Sequence, residues 1–337
     1  MTTLFTCRHT FEQTLLAELN LPGKVLAPGL VQLPLETLEN PAYALQILPD
    51  AQEIHAESIK ALAQPLVQKI QEMLDAQPGM WDLHALVLGQ LKGNPRPMLR
   101  RRADLILAAV LGLLPRWALK RRQAQGRQLA ILAQFVLMDE THAWQSVALV
   151  QPLLLGATWP ATLPAGLADV ADDDVAPASS YRKLVEAFAC LDRAPLHTDT
   201  CVDLGACPGG WTHVLLRTCG QVMAIDRAPL APHLLADKRV NFVRGDAFAW
   251  LPDQPVAWLV SDIIAFPERV AELLETWLQP HLCQHFVVQM KFKGEPDWPA
   301  LERAKMTAEA HQYKLLVRHF FNDKNELTLM GTLQTEE

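Results

Sequence analysis

Short apolar runs recur through the C-terminal half of the chain, with helix-like segments between them. Five of these runs have the length of buried strands, and they occupy residues 200–204, 221–225, 240–243, 256–261 and 285–290. A helix over residues 181–191 precedes the first run. This alternation predicts a mostly parallel, doubly wound α/β sheet. Two final strands, over residues 314–321 and 326–333, are joined so closely that they must form an antiparallel hairpin.

The N-terminal half carries a more mixed pattern. Strand-like TLFTC is followed by helix-like FEQTLLAEL and by strand-like segments in KVLAPGLVQLPL. Apolar residues spaced by three and four predict an amphipathic helix over residues 58–73. The strand and helix pattern continues through residues 84–91, 105–114 and 128–137. An α+β region is therefore expected to precede the sheet.

A segment rich in alanine and proline separates the two halves. Residues 151–180 hold four prolines, two glycines and the acidic run DDD at 172–174, which is typical of a connection between domains. We accordingly predict two N-terminal domains over residues 1–60 and 61–155. A linker over residues 156–178 and an α/β domain over residues 179–337 follow.

Composition narrows the class of protein. A length of 337 residues suggests two or three domains, and a hydrophobic fraction of 50% argues against disorder. The apolar stretches are too short for a membrane span, so we expect a soluble, cytoplasmic protein without a membrane partner. The six cysteines form no Cys-x-x-Cys pair and no zinc-like spacing with histidine. We expect reduced thiols and no metal site.

Positive charge is concentrated in one stretch of a chain whose net charge is −7. Between residues 92 and 127 the only acid is Asp104, and the basic residues are Lys92, Arg96, Arg100, Arg101, Arg102, Arg116, Lys120, Arg121, Arg122 and Arg127. The stretch is either a solvated helix face or a surface for RNA phosphates, and its contrast with the acidic remainder favours RNA. Trp117 either stacks on a base or, as we prefer, lies half-buried on a helix.

A glycine loop follows the first strand of the α/β domain. Gly205 to Gly210 have the pattern Gly-x-x-x-Gly-Gly, which differs from the Gly-x-Gly-x-x-Gly of dinucleotide sites, and they let backbone approach a ligand closely. Asp226 ends the next strand, where an acid can hold ribose hydroxyls, and Asp246 follows the third. These features favour a nucleoside cofactor over a purely structural turn. Cys207 is interpreted as a small residue in a tight turn and not as a nucleophile.

Three charged residues meet at the carboxyl edge of the predicted sheet. Asp262 ends the fourth strand and Lys291 ends the fifth. Since the last strand runs antiparallel, its first residue, Glu326, lies at the same edge. Ordinary ion pairs at strand ends are the alternative interpretation for each residue taken alone.

The segments VDLGACPGGWT, SDIIAFPERV and YRKLVEAF resemble the FtsJ-type ribose 2'-O-methyltransferases, which use S-adenosylmethionine. Within that group the chain is most similar to the RlmM family, which methylates a cytidine ribose of 23S ribosomal RNA. The resemblance extends from about Ala178 to the C-terminus, roughly half of the chain. In that family the sheet is a Rossmann-like methyltransferase fold. A ferredoxin-like unit and a THUMP domain precede it in that family. Family members begin with a strand, a Cys-Arg pair and an amphipathic helix, and Cys7 and Arg8 match that pair.

The resemblance assigns a catalytic tetrad to Lys183, Asp262, Lys291 and Glu326. A ribose hydroxyl is a poor nucleophile while protonated, so a lysine base needs a pKa well below its usual value of about 10.4. Desolvation and a nearby like charge, here Lys183 beside Lys291, would supply that change. Lys293 lies on the same side of an extended segment, and Lys291 is preferred as the base because it directly ends the apolar run.

The resemblance also implies where the cofactor binds. S-adenosylmethionine is expected against Cys207, Pro208, Gly209 and Gly210, with Ser180 at the edge of the pocket. Asp226 is expected near the ribose, Asp246 near the adenine and Asp262 near the methyl-bearing end. Ribosomal RNA is the expected partner, and the oligomeric state is open.

These inferences give one main hypothesis, an S-adenosylmethionine-dependent ribose 2'-O-methyltransferase of large-subunit ribosomal RNA, with cytidine as the target. The alternatives are an RNA-binding protein that keeps the fold without catalysis, and a 2'-O-methyltransferase of another RNA such as transfer RNA. Transfer to a small molecule or protein is disfavoured because the strand end reads SDIIAF and contains no Asn/Asp-Pro-Pro-Tyr motif.

Overall fold

The computed structural model describes residues 2–34, 41–93, 96–123, 129–150 and 163–334. The chain divides into two compact units, Met1–Leu167 and Ala168–Glu337. Within the described ranges, none of the helices is both long enough and apolar enough to cross a lipid bilayer.

The first unit begins with a four-stranded antiparallel sheet. Its elements are β1 (Thr3–Thr6), α1 (Glu12–Leu19), β2 (Lys24–Ala27), β3 (Leu30–Leu33) and β4 (Gln46–Leu48). The strand order is β2-β3-β1-β4. In the described residues this sheet carries one helix, whereas a ferredoxin-like unit has two. The ferredoxin-like assignment therefore stays a prediction.

A second four-stranded sheet completes the first unit. Its elements are β5 (Gln52–His55), α2 (Ile59–Ala76), β6 (Trp81–Val87), α3 (Pro97–Leu113), α4 (Arg116–Lys120), β7 (Ile131–Leu137) and β8 (His142–Leu149), with short 3-10 turns at Gln90–Lys92 and Pro164–Gly166. The order is β5-β8-β7-β6, and only β6 and β7 pair in parallel. Helices α2 and α3 bury apolar faces in the same core as this sheet. The THUMP-like assignment stays a prediction.

Sequence patterns located these elements with errors at their ends. Helix α2 starts where expected, because the Ser58 side chain accepts the Ala61 N–H at 3.1 Å as an N-cap. Helix α3 starts eight residues before the predicted position 105, because Pro97 at its first turn favours helix initiation. Strand β6 starts at Trp81, three residues before the predicted position 84.

Three arginines of the basic stretch make hydrogen bonds or ion pairs with other residues of the first unit. The Arg121 guanidinium donates three hydrogen bonds of 2.8–2.9 Å, to the backbone oxygens of Leu74, Gln77 and Gly79. Arg122 lies 3.1 Å from the buried carboxylate of Asp82, and Arg102 donates to the backbone oxygen of Glu57, in the connection before α2. These three side chains therefore stabilise the fold, whereas the sequence assigned them to RNA.

The remaining basic residues are more accessible. The exposed ones are Lys92, Arg96, Arg100, Arg101, Arg116 and Lys120, and position 127 lies outside the described residues. Trp117 on α4 is 42% exposed, which fits the half-buried helix tryptophan preferred from the sequence, and the Arg121 guanidinium lies 6.0 Å from its ring centroid. The exposed subset is the part of the stretch that RNA phosphates could reach.

The second unit contains a seven-stranded sheet. Its strands are β9 (Thr200–Leu204), β10 (Gln221–Asp226), β11 (Val240–Arg244), β12 (Val256–Ser261), β13 (Cys283–Lys291), β14 (Tyr313–Arg318) and β15 (Glu326–Leu333). Its helices are α5 (Tyr181–Leu191), α6 (Gly210–Leu215), α7 (Pro232–Leu235), α8 (Pro267–Leu278) and α9 (Trp298–Ala310). The strand order is β11-β10-β9-β12-β13-β15-β14. The first five strands of this order are parallel, and β15 runs antiparallel to both of its neighbours. The mixed Rossmann-like sheet expected from the sequence is confirmed.

Two segments differ from their prediction. Strand β14 ends at Arg318, three residues early, because the Asp323 carboxylate accepts the Phe320 N–H at 2.8 Å and turns the chain. Residues 168–178, predicted as linker, belong to the second unit, where Asp173 accepts hydrogen bonds from Arg217 and His213. Residues 156–162 of that linker lie outside the described residues.

Replacing Arg121 with Gln tests its structural role. The variant should lose about 1–3 kcal/mol of unfolding free energy, since three backbone oxygens near the end of α2 lose their donor. Urea denaturation of the full chain measures the change. The matched control Arg101→Gln, on an exposed side chain of α3, should stay within about 0.5 kcal/mol of the parent. Equal stability of the two variants would contradict the assignment.

Candidate active site and cofactor loop

The candidate site lies at the carboxyl ends of the parallel strands. Strand β9 pairs with β10 on one side and with β12 on the other, so the strand order reverses next to β9. Ligands of open α/β sheets bind in the crevice at such a switch point. The glycine loop after β9 and the charged end of β12 both reach this crevice.

The loop needs glycine at defined positions. Gly205 has φ +76° and Gly209 has φ +114°, values that side-chain-bearing residues rarely adopt. A Cβ on Gly209 would lie 2.2 Å from a Leu234 methyl, and one on Gly210 would lie 2.9 Å from the Ser180 hydroxyl oxygen. The Cys207–Pro208 peptide is cis. The close approach of Gly210 to Ser180 places Ser180 beside the loop that contains Cys207, Pro208 and Gly209, and cofactor binding by these residues stays a prediction.

Side chains hold the loop in place. One carboxylate oxygen of Asp226 accepts the Cys207 N–H at 2.9 Å, and the other accepts the Ala228 N–H at 2.8 Å. The buried Trp211 donates its indole N–H to the Ser180 carbonyl at 2.9 Å. Asp226 thus fixes the loop and keeps lone pairs that could also accept ribose hydroxyls.

Cys207 is not poised as a nucleophile. Its thiol donates to the Pro229 carbonyl at 3.3 Å. Burial, together with the Asp226 carboxylate, raises the pKa of this thiol. The group therefore stays protonated, which supports its interpretation as a turn residue.

Asp203, which lies on β9 just before the glycine loop, has an internal partner. The side chain is 1% exposed and accepts a 2.6 Å hydrogen bond from the Thr212 hydroxyl. Burial raises the pKa of Asp203 to about 7, and the carboxylates of Asp262 and Asp226 add to the rise. A proton on Asp203 thus limits the negative charge that collects beneath the loop.

Asp246 lies at the rim of the crevice. Its carboxylate accepts the Phe248 N–H at 3.0 Å and pairs with Arg227 at 2.6 Å. These hydrogen bonds, first the backbone one and then the one from Arg227, lower the pKa of Asp246. It is therefore ionised and remains partly open to solvent at the third strand end.

The four tetrad residues meet in one cluster. Lys183 on α5 lies 2.5 Å from a Glu326 carboxylate oxygen and 3.4 Å from Asp262 Oδ1. Lys291 lies 2.8 Å from the same Asp262 oxygen and donates to the Asp262 backbone carbonyl at 2.6 Å. In the register of β13 with β15, Lys291 is directly opposite Glu326. Asp262 therefore bridges two amines that are far apart in sequence.

The cluster is partly shielded from water. The side chains of Lys183 and Glu326 are 11% and 5% exposed, and those of Asp262 and Lys291 are 17% and 22% exposed. Desolvation alone would lower the pKa of Lys183, but attraction to the carboxylates of Asp262 and Glu326 outweighs it and raises that pKa. Lys183 is therefore a fixed positive charge near neutral pH.

The second lysine of the segment lies elsewhere. The Lys293 ammonium lies over the Phe266 ring, 4.9 Å from its centroid, and the side chain is exposed. Lys291, not Lys293, contacts Asp262, which removes the ambiguity of register.

A buried polar network behind Glu326 was missed by sequence reasoning. Asp323, 0% exposed, accepts from the Thr328 hydroxyl at 3.0 Å and from the Gln289 amide at 3.3 Å. Burial raises the pKa of Asp323 well above its usual value. One residue on, the Lys324 N–H donates to Glu326 at 3.0 Å. The only sequence signal was an aspartate in the turn NDKNE, which also fits an ordinary hairpin.

Comparison with known proteins finds one family match and several relatives. Residues 178–293 match the FtsJ-like methyltransferase family. A Thauera aminoaromatica protein named ribosomal RNA large subunit methyltransferase M is 33% identical over 184 residues, covering 51% of this chain and 50% of that protein. A protein of the same name from Xanthomonas campestris pv. campestris (strain B100) is 29% identical over 356 aligned positions, covering 96% and 97%.

Several of these alignments are partial, so that the chain spans about half the length of the first curated relatives it matches. Among solved structures, M. jannaschii TYW2 in complex with AdoMet has a TM-score of 0.34 at 18% identity, covering 47% of this chain and 78% of that one. The family match and the curated relatives confirm the resemblance stated from the sequence motifs.

The protonation of Asp203 predicts a pH-dependent stability difference. Because its folded pKa of about 7 exceeds the usual 3.8, the folded state binds this proton more tightly, and the contribution of Asp203 to parent stability falls as pH rises from 4 to 7. Asp203→Asn removes this loss. The stability of the variant relative to the parent should therefore increase over that range, by up to about 4 kcal/mol.

Urea denaturation at pH 4.5, 6 and 7.5 checks this. The surface variant Asp237→Asn is the control, because Arg239 lowers the pKa of Asp237 and the difference should be small and of opposite sign. A pH-independent difference for Asp203→Asn would contradict the assignment.

Proposed function

Because the chain carries an FtsJ-like methyltransferase domain and its relatives are named as large-subunit ribosomal RNA methyltransferases, we propose that it methylates a ribose 2'-hydroxyl of 23S ribosomal RNA. The target nucleotide of the proposal is a cytidine. The observation that carries it is the cluster of Lys183, Asp262, Lys291 and Glu326 at the end of the sheet beside the glycine loop. Two amines joined by one carboxylate are suited to moving a proton.

The residues of the crevice fit S-adenosylmethionine, the cofactor of this class. Glycines at 205 and 209 let the loop pack closely against Ile263 and Leu234, and backbone without a Cβ can approach an adenosine-sized ligand. The carboxylates of Asp226 and Asp246 offer acceptors at successive strand ends for ribose hydroxyls and for an adenine amine. Asp262 offers negative charge near the methyl-bearing sulfonium. When bound, the cofactor supplies an electrophilic methyl group.

The tetrad residues have separate roles in this proposal. Lys291 takes the proton of the 2'-hydroxyl, since it is the more accessible of the two amines. Lys183 keeps a positive charge that opposes a second charge next to it and stabilises the developing alkoxide. Asp262 orients both amines, and Glu326 holds Lys183 in place.

RNA is expected to contact the first unit as well. The second sheet with its helices, predicted over residues 61–155 and observed to begin earlier, at β5, is proposed as a THUMP-like RNA-binding domain. The part before it, predicted over residues 1–60, is proposed as a ferredoxin-like unit. Arg96, Arg100, Arg101 and Lys120 are the exposed members of the proposed surface. Arg121 and Arg122 contribute indirectly, because they join the end of α4, which carries Lys120, to the end of α2 and to β6.

Replacing Lys291 with Ala tests the assigned base. Methyl transfer to deproteinised 23S ribosomal RNA should fall by about 100- to 10,000-fold, while calorimetry should show S-adenosylmethionine binding close to that of the parent. Lys305→Ala, an exposed lysine of α9, is the matched control. Mapping of the methylated ribose identifies the nucleotide. Full activity of Lys291→Ala would refute the assigned base, and transfer to other RNA only would refute the substrate.

The charge of Lys183 predicts a change in the pH profile. In the parent, kcat/KM should rise with pH until the base is deprotonated. Lys183→Met removes a positive charge and leaves both carboxylates to Lys291, so the acidic limb should move to higher pH. Circular dichroism at each pH shows that the variant stays folded. A limb that stays in place or moves to lower pH would contradict the role of Lys183.

A further inference from the structure

Two large apolar side chains beside the tetrad are unusually exposed. They lie on the loop between β12 and α8, where Ile264 is 89% exposed and Phe266 is 61% exposed. The same loop begins with Asp262. An aromatic ring left in water four residues from a tetrad residue suggests a contact with substrate.

A cation accompanies the exposed ring. The Lys293 ammonium lies 4.9 Å from the Phe266 ring centroid, and Lys293 follows Lys291 by two residues. Both members of the Phe266–Lys293 pair are therefore close in sequence to tetrad residues, each from a different strand end. The pair joins a flat apolar face to a positive charge at the edge of the candidate site.

The segment that carries Lys293 is held by the hairpin. The Asn325 side-chain amide donates to the carbonyls of Phe292 and Gly294 at 3.2 Å and 2.6 Å, and the Phe292 N–H donates to the Asn325 carbonyl at 2.8 Å. On the other side, buried Pro267 starts α8 directly after Phe266. Both members of the pair thus extend from fixed backbone.

We propose that the Phe266–Lys293 pair binds an unpaired nucleobase of the RNA strand by stacking, and that Lys293 contacts a backbone phosphate. This inference rests on the proposed function. A nucleotide whose 2'-hydroxyl reaches Lys291 brings its own base or a neighbouring one past the side chains next to Lys291. Only an unpaired base presents its face, so the site selects single-stranded or opened RNA.

Replacing Phe266 with Ala tests the stacking contact. Affinity for a fluorescent single-stranded RNA should fall by about 5- to 150-fold, the range for loss of one base–aromatic contact, and KM for ribosomal RNA should rise accordingly while S-adenosylmethionine binding is unchanged. Phe266→Trp should restore affinity because it restores a stacking face. Met306→Ala, which removes a 67% exposed side chain from α9, is the matched control and should bind as the parent does.

An oligomer of the same length that lacks bases separates stacking from charge. Phe266→Ala should bind this backbone-only oligomer as the parent does, whereas Lys293→Gln should bind both oligomers more weakly. Lys293→Gln should also reduce the slope of log affinity against log salt by about 1, as expected for one lost phosphate contact.

The outcomes distinguish this inference from the proposed function. If the parent protein methylates ribosomal RNA but Phe266→Ala binds and methylates it equally well, the stacking site is refuted and the enzyme stands. If Phe266→Ala weakens both oligomers equally, the ring does not stack on a base. Absence of methyl transfer by the parent to any RNA would instead refute the proposed function.

Discussion

The register between β13 and β15 is the constraint on which the candidate site depends. Lys291 is the last residue of one strand and Glu326 the first of the other, and they are paired directly. Only an antiparallel β15 brings its first residue to the carboxyl edge of the parallel strands. A slip of one residue would turn the Glu326 side chain to the opposite face of the sheet and leave Lys183 without its nearest carboxylate.

That register is supported from behind by the turn between β14 and β15. Asp323 accepts hydrogen bonds from Thr328 on β15 and Gln289 on β13, so this fully buried side chain joins the turn to both strands. His319, also fully buried, bonds the Lys324 carbonyl at 2.7 Å. Because these hydrogen bonds join the turn to both strands in the buried interior, the turn is a defined structure and not a variable loop.

The sequence predicted what depends on local pattern. Apolar runs located the strands of the second unit, and the closing hairpin followed from a short connection, because alternation and turn length are written in neighbouring residues. The sequence also predicted that Asp262, Lys291 and Glu326 lie at one edge of the sheet, since their positions follow from strand direction alone. The assignment of Lys183 needed the family resemblance, because nothing in a helix sequence tells which strand end the helix faces.

What the sequence did not predict depends on contacts between distant residues. Arg121 has the same chemistry as Arg101, so sequence alone cannot tell them apart. The fold brings three backbone oxygens to the Arg121 guanidinium and none of those three to Arg101. Asp203 carries a strand-end position typical of ligand contact, yet Thr212 nine residues on satisfies it. In the same way, exposure of Phe266 cannot be read from the apolar string IIAF, in which any member could be buried.

The difference between side chains that make internal contacts and those left exposed bears on how an acidic chain could bind a polyanion. A net charge of −7 gives no overall attraction to RNA, so binding of the proposed substrate must come from local groups. Within the tetrad the charges of two lysines are balanced by two carboxylates, which leaves little positive charge there to attract phosphate. In the proposed complex, contacts that do not require excess charge, such as the proposed stacking on Phe266, would therefore be the more effective source of affinity next to the reacting ribose. Exposed cations such as Arg96 and Arg101 would then need only to position the remainder of the strand.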